Sequence, residues 1–234
     1  MDELKVINSD PTRVLRKLWD KWKYKNSVQM FEFQSVNEER VKELFKQLKN
    51  THLECMDGFS NKIIKGSSNI LIKPMTHLIN SCFSKRKYPS KWKIFKMISL
   101  FKNKGDPEIL NSYRPIALLN PFSKILEKEL FFQMNDHMIT NDLWNKNGYA
   151  YKKNHSTSHA LMDLVEIWCS NIDGNAQNMN MMLDLSCAFD LVSHDTLLSK
   201  MKIYKFGTDA IQLMESYLKY RSQYVEVNGK RSNF

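Results

Sequence analysis

The sequence predicts an α+β protein, rich in helix with a few short strands. Three observations carry this. Apolar residues recur at helical spacing along most of the chain, whereas Ile94 to Phe101 and Asn178 to Leu185 are short segments that fit buried strands better than helices. Turn signals, Asp173-Gly174-Asn175 and Asn228-Gly229, border the strand-like pieces. With 42% hydrophobic and 26% charged residues, the 234-residue chain is globular rather than disordered and long enough to bury a substantial core.

The elements follow in order. Asp10-Pro11 caps a basic amphipathic helix whose inner face is Val14, Leu15, Leu18, Trp19 and Trp22. Asn37 opens a second helix with Val41, Leu44, Phe45 and Leu48 inward, and Leu71, Met75, Leu78, Ile79 and Cys82 mark a third. Ile94 to Phe101 reads as a strand, followed by a loop to Pro115. Helices are then predicted near Phe122 to His137, Ser156 to Ser170, Ser193 to Tyr204 and Thr208 to Tyr220. Between the second and third of these lies the Asn178 to Leu185 strand, and a last strand runs from Gln223 to Val227. The Trp and Met residues read as core, because stripes at helical spacing pack against neighbours. The one plausible boundary falls near Asn141 to Lys153, giving a basic N-terminal helical extension over 1–30, a region over 31–145 and another over 146–234.

Charge narrows the function. The formal net charge is +10, with a pI near 9.3, which favours a polyanionic partner over a membrane surface. The positive charge is also concentrated. Between Asp57 and Asp106 no acidic residue occurs, while Lys62, Lys65, Lys73, Lys85, Arg86, Lys87, Lys91, Lys93, Lys96, Lys102 and Lys104 do. Tyr88, Trp92, Phe95 and Phe101 interleave with them. Cations that follow phosphates and rings that stack on bases are the ingredients of a groove for a single strand or a heteroduplex.

Asp184 closes the apolar run Met182-Leu183-Asp184-Leu185, and Phe189 follows five residues later. A carboxylate at the end of a buried strand needs a partner, either a cation or a helix terminus. The segments Lys102-Asn103-Lys104-Gly105-Asp106, Asn111 to Leu119 and Lys124-Ile125-Leu126-Glu127-Lys128 come before it. With them stand Phe31-Glu32-Phe33, Asp57-Gly58, Pro89 to Lys93, Ser156-Thr157, Asp184 to Phe189 and Tyr217-Leu218-x-x-Arg221-x-Gln223-x-Val225. In this order and spacing the chain resembles the reverse transcriptases of non-LTR (LINE-type) retrotransposons, most like the jockey-like group, over roughly residues 30 to 234.

The resemblance implies a helix-rich fingers region plus the start of a reverse-transcriptase palm, within the α+β class, ending before the catalytic hairpin and thumb. It implies RNA-directed DNA polymerase chemistry with Mg²⁺ as cofactor, dNTP as substrate, and an RNA template with a DNA primer, or an RNA–DNA heteroduplex, as partner. Asp184 is then the first catalytic aspartate, and the carbonyl of Leu185 joins it on the metal. Phe189 is the steric gate against ribonucleotides. Lys102 or Lys104, together with Arg114, grips the triphosphate, a task to which the planar guanidinium fork is suited. Two-ion phosphoryl transfer needs several converging carboxylates, yet the chain contains no Asp-Asp dipeptide. Where the family usually has Gln-x-Gly-Phe-Arg, Gly148-Tyr149-Ala150-Tyr151-Lys152 stands here, and Cys55 replaces a common Gly.

Other classes are less favoured. No apolar run approaches the roughly 20 residues of a spanning helix, and the acidic start Met1-Asp2-Glu3 is unlike a signal peptide. Cys55, Cys82, Cys169 and Cys187 form no Cys-x-x-Cys pair and read as reduced thiols of an intracellular protein, in cytoplasm and nucleus by family resemblance. His155 and His159 have zinc-ligand spacing, but two histidines do not by themselves complete a zinc site. Three readings stay open: a polymerase segment inactive by itself, a basic RNA-binding module without catalysis, and an inert mobile-element relic.

Overall fold

A computed structural model of the chain describes residues 28–51, 58–184, 188–227 and 230–232. The expected N-terminal helix, the Asn228-Gly229 turn, Cys55, Cys187 and Leu185 lie outside the described residues. The described elements are α1 (Glu38–Lys46), α2 (Asn61–Gly66), α3 (Ser68–Lys85), β1 (Ile94–Phe101), β2 (Tyr113–Leu118), α4 (Pro121–Thr140), α5 (Thr157–Asp173), α6 (His194–Ile203), α7 (Thr208–Leu218), β3 (Ser222–Val227) and β4 (Lys230–Arg231). The mixture of helices with one small sheet is α+β, as predicted.

Local signals place the helices. Asn37 caps α1, its side-chain oxygen accepting from Arg40 N at 2.9 Å, and Glu38 and Glu39 fill the first turn where the helix dipole favours anions. Ser60 and Ser156 cap α2 and α5 in the same way. At the end of α3, Arg86 adopts the left-handed conformation that closes a helix. Pro74 lies inside α3, seven positions into a helix that continues to Lys85.

Contacts between residues divide the chain into two compact units. One comprises the described residues of 1–137 and 194–234; the other is Met138–Ser193. The chain from His194 onward thus packs with the earlier residues, where the sequence division set it with the later ones. The cause is pairing over long sequence distances. β3 lies parallel to β1, with Ile94 opposite Ser222 and Met97 opposite Val225, and α7 packs on α3.

The core of the first unit gathers Val41, Leu44 and Phe45 of α1, Ile72, Met75, Ile79 and Cys82 of α3, Ile125, Leu126 and Leu130 of α4, and Leu213 of α7. Burial of this size, at roughly 25 cal/mol per Å² of apolar surface, is the main driving force for the unit. Polar groups caught inside are matched. Glu129, 2% exposed, accepts from Arg40 Nε at 2.8 Å and from Gln133 Nε2 at 2.8 Å, while the Arg40 guanidinium covers the Phe132 ring at 4.8 Å. Tyr88 is 3% exposed and donates to Glu127 Oε1 at 2.9 Å beside Ser123. Desolvation, followed by the Glu127 charge, drives the Tyr88 phenol far above its ordinary pKa.

A second clamp joins residues 31–33 to the start of α7. Phe31 N donates to Lys205 O and Gly207 N to Phe31 O, each at 2.8 Å, making a parallel bridge to Phe206. Beside it the Glu32 carboxylate accepts from Asp209 N at 3.2 Å and Ala210 N at 2.6 Å. A negative group at a helix N-terminus satisfies orphan amides and complements the dipole.

The sheet has the order β2-β1-β3-β4. β1 and β2 are antiparallel, with Lys96 opposite Leu118, Ile98 opposite Ile116 and Leu100 opposite Arg114. The segment expected as a loop to Pro115 is therefore a strand from Tyr113. Pro115 is tolerated because β2 is an edge strand, where a missing N–H need not break a ladder.

In the second unit, α5 forms as predicted but carries no buried residue. The strand expected over Asn178 to Leu185 does not form: residues 178–184 have no regular structure, and Met182 and Leu183 are 89% and 85% exposed. The physical reason is a lack of ladder partners. None of the four described strands pairs with this segment, and a strand without a neighbour leaves its backbone groups to water. Its polar side chains bond locally instead, with Asn178 Nδ2 donating to Trp168 O at 3.1 Å and Trp168 Nε1 to Asn180 Oδ1 at 2.9 Å.

Candidate nucleic-acid interface

The β1–β2 hairpin builds the first part of the site. Beyond Phe101 the ladder continues for one more pair, Lys102 N donating to Ser112 O at 2.8 Å. Because Lys102 lies opposite Ser112 and Leu100 opposite Arg114, Lys102, Leu100 and Arg114 share one face, with Lys102 and Arg114 as diagonal neighbours. Residues 102–112 form the turn between the strands. Asn103 and Gly105 take φ of 54° and 92°, and a β-carbon on Gly105 would stand 2.8 Å from Ser112 Oγ, so glycine is required there both for conformation and for space.

Two of the three expected phosphate-binding residues thus come together, and the third, Lys104, stands exposed in the turn beside them. Lys102 Nζ donates to Asn111 O at 2.6 Å, which holds the ammonium on the hairpin. Arg114 is exposed and forms no ion pair among the described residues. Ile116 on the same strand and Ile109 and Leu110 in the turn are exposed as well. Asp106 shares the turn, its carboxylate accepting from Glu108 N at 2.9 Å. The face offers an aliphatic surface edged by cations, suited to the rings and phosphates of nucleotides.

Not all of the basic and aromatic run is available for such contact. Trp92 stacks on Phe122 and meets Tyr88, so these two rings belong to the core rather than to a base-stacking surface. Lys93 is buried, and desolvation followed by the Arg221 charge lowers its pKa. Lys96 pairs with Glu226 at 3.2 Å. Phe95 lies under the Arg221 guanidinium at 5.4 Å, which helps to fix the β1 to β3 pairing. Composition alone marked these residues; the fold assigns them to packing.

The second unit holds the other two candidates. Asp184 is exposed, at the end of the irregular segment. Phe189 is 78% exposed and meets the Tyr151 ring edge to face at 6.2 Å. No group of three or more His, Cys, Asp or Glu side chains able to hold a metal ion occurs among the described residues, His155 and His159 included. Magnesium demands near-octahedral oxygen coordination. A single exposed carboxylate supplies only one donor of such a set.

Sequence reasoning missed Glu32 as a helix cap and Tyr88 as a polar anchor. Gly207, placed directly before Thr208-Asp209, was the only local hint of the first, and nothing local marked the second.

Residues 101–234, from the end of β1 onward, match the family described as reverse transcriptase (RNA-dependent DNA polymerase), and the chain belongs to that family. Reverse transcriptases generally use divalent metal ions, a nucleic-acid template and nucleotide substrates. The chain is 26% identical over 196 residues to a probable RNA-directed DNA polymerase from transposon BS of Drosophila melanogaster, an alignment covering 82% of this chain and 22% of that protein. It is 25% identical over 199 residues to the RNA-directed DNA polymerase from mobile element jockey of the same species, covering 85% and 22%. A probable RNA-directed DNA polymerase from its transposon X-element gives 27% over 182 residues, covering 77% and 20%. These matches make the chain a stretch of LINE-type, non-LTR reverse transcriptase sequence, and it spans about a fifth of the length of the relatives. No helix among the described residues is long and apolar enough to cross a membrane.

Proposed function

We propose that this chain provides the nucleic-acid and nucleotide-contacting part of an RNA-directed DNA polymerase, and that residues 1–234 alone bind template and primer without extending them. In this reading the β1–β2 hairpin belongs to the fingers and the region around Asp184 to the start of the palm. Lys102, Lys104 and Arg114 contact phosphates of the incoming dNTP. Asp184 and the Leu185 carbonyl supply ligands to Mg²⁺, and Phe189 excludes the ribose 2′-hydroxyl. The RNA template and DNA primer lie as a heteroduplex against the basic surface.

The observation that supports binding is the shared face of Lys102 and Arg114 beside the Lys104 turn. The observation that favours binding without catalysis is that, among the described residues, Asp184 belongs to no carboxylate group of the kind two-ion transfer requires. The test is fluorescence anisotropy with an RNA–DNA heteroduplex across a salt series. The reading expects log K to fall steeply with log salt, and Arg114→Ala to flatten the slope by about 0.9 for each duplex phosphate that the guanidinium neutralises. Affinity independent of salt, or unchanged in Arg114→Ala together with Lys102→Ala, overturns it.

A further inference from the structure

A pocket of about 340 Å³ lies in the first unit, further along β2 from Arg114. Leu118, at its wall, is four residues along β2 from Arg114, about 13 Å at strand rise. Three pieces of chain form it. The residues that follow α1 contribute Leu48 and Lys49, α2 contributes Asn61, and the passage from β2 into α4 contributes Leu118, Leu119, Pro121, Lys124 and Lys128.

The chemistry of the lining is one-sided. Three lysines face the pocket, and among the described residues no carboxylate lines it. Pro121, Lys124 and Lys128 follow one another at helical spacing, so both ammonium groups rise from the same face of α4, one turn apart. Glu127, the acidic neighbour on α4, is turned away to Tyr88 and Ser123. Lys124 Nζ reaches Asn61 Oδ1 at 3.4 Å, and Asn61 is itself fixed by a 3.1 Å bond to Lys49 O. Lys128 lies over the Phe132 ring at 5.9 Å, and burial lowers its pKa. An ammonium desolvated in this way gains from an anion. Leu48, Leu118 and Leu119 also line the pocket and give it an apolar part. The volume falls at the small end of the range for ligand pockets, roughly 300–1,000 Å³.

We propose that this pocket holds one nucleotide of a single-stranded polynucleotide, its phosphate on Lys49, Lys124 and Lys128 and its base and sugar against Leu48, Leu118 and Leu119. The assignment rests on the nucleic-acid-binding function proposed above and adds a second contact point to it. A strand held here and at the hairpin runs along β2, and the two sites act in series on one chain of phosphates. A free nucleotide offers the same chemistry, but only a polynucleotide engages both sites at once and gains from their linkage.

The experiment uses the full chain and a fluorescein-labelled 12-nucleotide oligouridylate RNA, read by anisotropy over a salt series. Lys49→Gln with Lys128→Gln is expected to weaken binding by about tenfold at moderate salt and to flatten the log–log slope by about 1.4, two phosphates at about 0.7 each for a single strand. Lys49→Arg with Lys128→Arg keeps the charges and retains wild-type affinity. Lys49→Gln alone, on an exposed side chain outside α1, carries a smaller loss in the same direction and guards against misfolding of the pair. Uridine monophosphate at millimolar concentration competes only weakly. If the hairpin variant Arg114→Ala weakens binding while the Lys49 and Lys128 variants do not, the pocket assignment is overturned and the proposed function stands. If the wild-type chain binds no RNA, both are overturned. Competition by the monophosphate at the affinity of the oligonucleotide overturns the polynucleotide in favour of a free nucleotide.

Discussion

Replacing Gly207 by alanine tests how residues 31–33 are tied to α7. Gly207 has φ of −77°, a conformation open to any residue, so alanine carries no backbone penalty there. The obstacle is steric. A β-carbon at this position would overlap Glu32 Oε1, lie 2.7 Å from Glu32 Cδ and 3.1 Å from Phe31 O. The carboxylate must then leave the amides of Asp209 and Ala210, which it holds at 3.2 and 2.6 Å. Hydrogen bonds to charged groups contribute roughly 1.5–3 kcal/mol each, and loss of an N-terminal cap costs roughly 0.5–2 kcal/mol. Rehydration of the freed groups returns part of this, so Gly207→Ala is expected to destabilise by about 2–3 kcal/mol. With a urea m-value of about 2.5 kcal/mol per M, the midpoint falls by about 1 M. The decisive assay is a double-mutant cycle with Glu32→Ala. Once the carboxylate is gone the clash is largely gone, and Gly207→Ala costs below about 1 kcal/mol. Additive effects of the two substitutions would refute the clamp.

Further outcomes are specific. Tyr88→Phe removes a buried hydroxyl shared by Ser123 and Glu127, and urea denaturation should show a loss of about 1–3 kcal/mol, because Glu127 is left short of a partner. Burial raises the Cys82 thiol to about 11. Only about one molecule in a thousand is then thiolate at pH 8, so mass spectrometry after brief alkylation should find Cys169, which is exposed, modified and Cys82 intact until urea is added. Asp184→Asn should leave heteroduplex affinity within about twofold of wild type, because the proposed binding depends on the basic hairpin rather than on this exposed carboxylate; a tenfold loss in anisotropy would place Asp184 in the binding surface.

What the sequence disclosed depends on the range of the interaction. The Asn37 cap, the Val41, Leu44 and Phe45 stripe and the apolar run from Ile94 to Phe101 are signals within one or two turns of chain, and the structure contains all three. β2 was hidden because Pro115 reads locally as a loop, while its tolerance comes from lying at the sheet edge. The parallel pairing of β1 with β3 joins residues more than a hundred positions apart, and no local pattern announces it. The same holds for the site. Lys102, Lys104 and Arg114 were visible as residue types in a basic stretch, but their common face follows from a register that only the folded hairpin defines. Trp92 and Lys93 looked like groove residues for the same compositional reason, and burial reassigns them. The strand expected around Asp184 required ladder partners that the described strands do not provide.

Binding without chain extension can be tested in one reaction. A labelled DNA primer annealed to an RNA template is incubated with the purified 234-residue chain, dNTPs and Mg²⁺, then divided between a native gel and a denaturing gel. The expected outcome is a retarded complex on the first and an unlengthened primer on the second. A lengthened primer, or no retarded complex at low salt, would refute the proposed function.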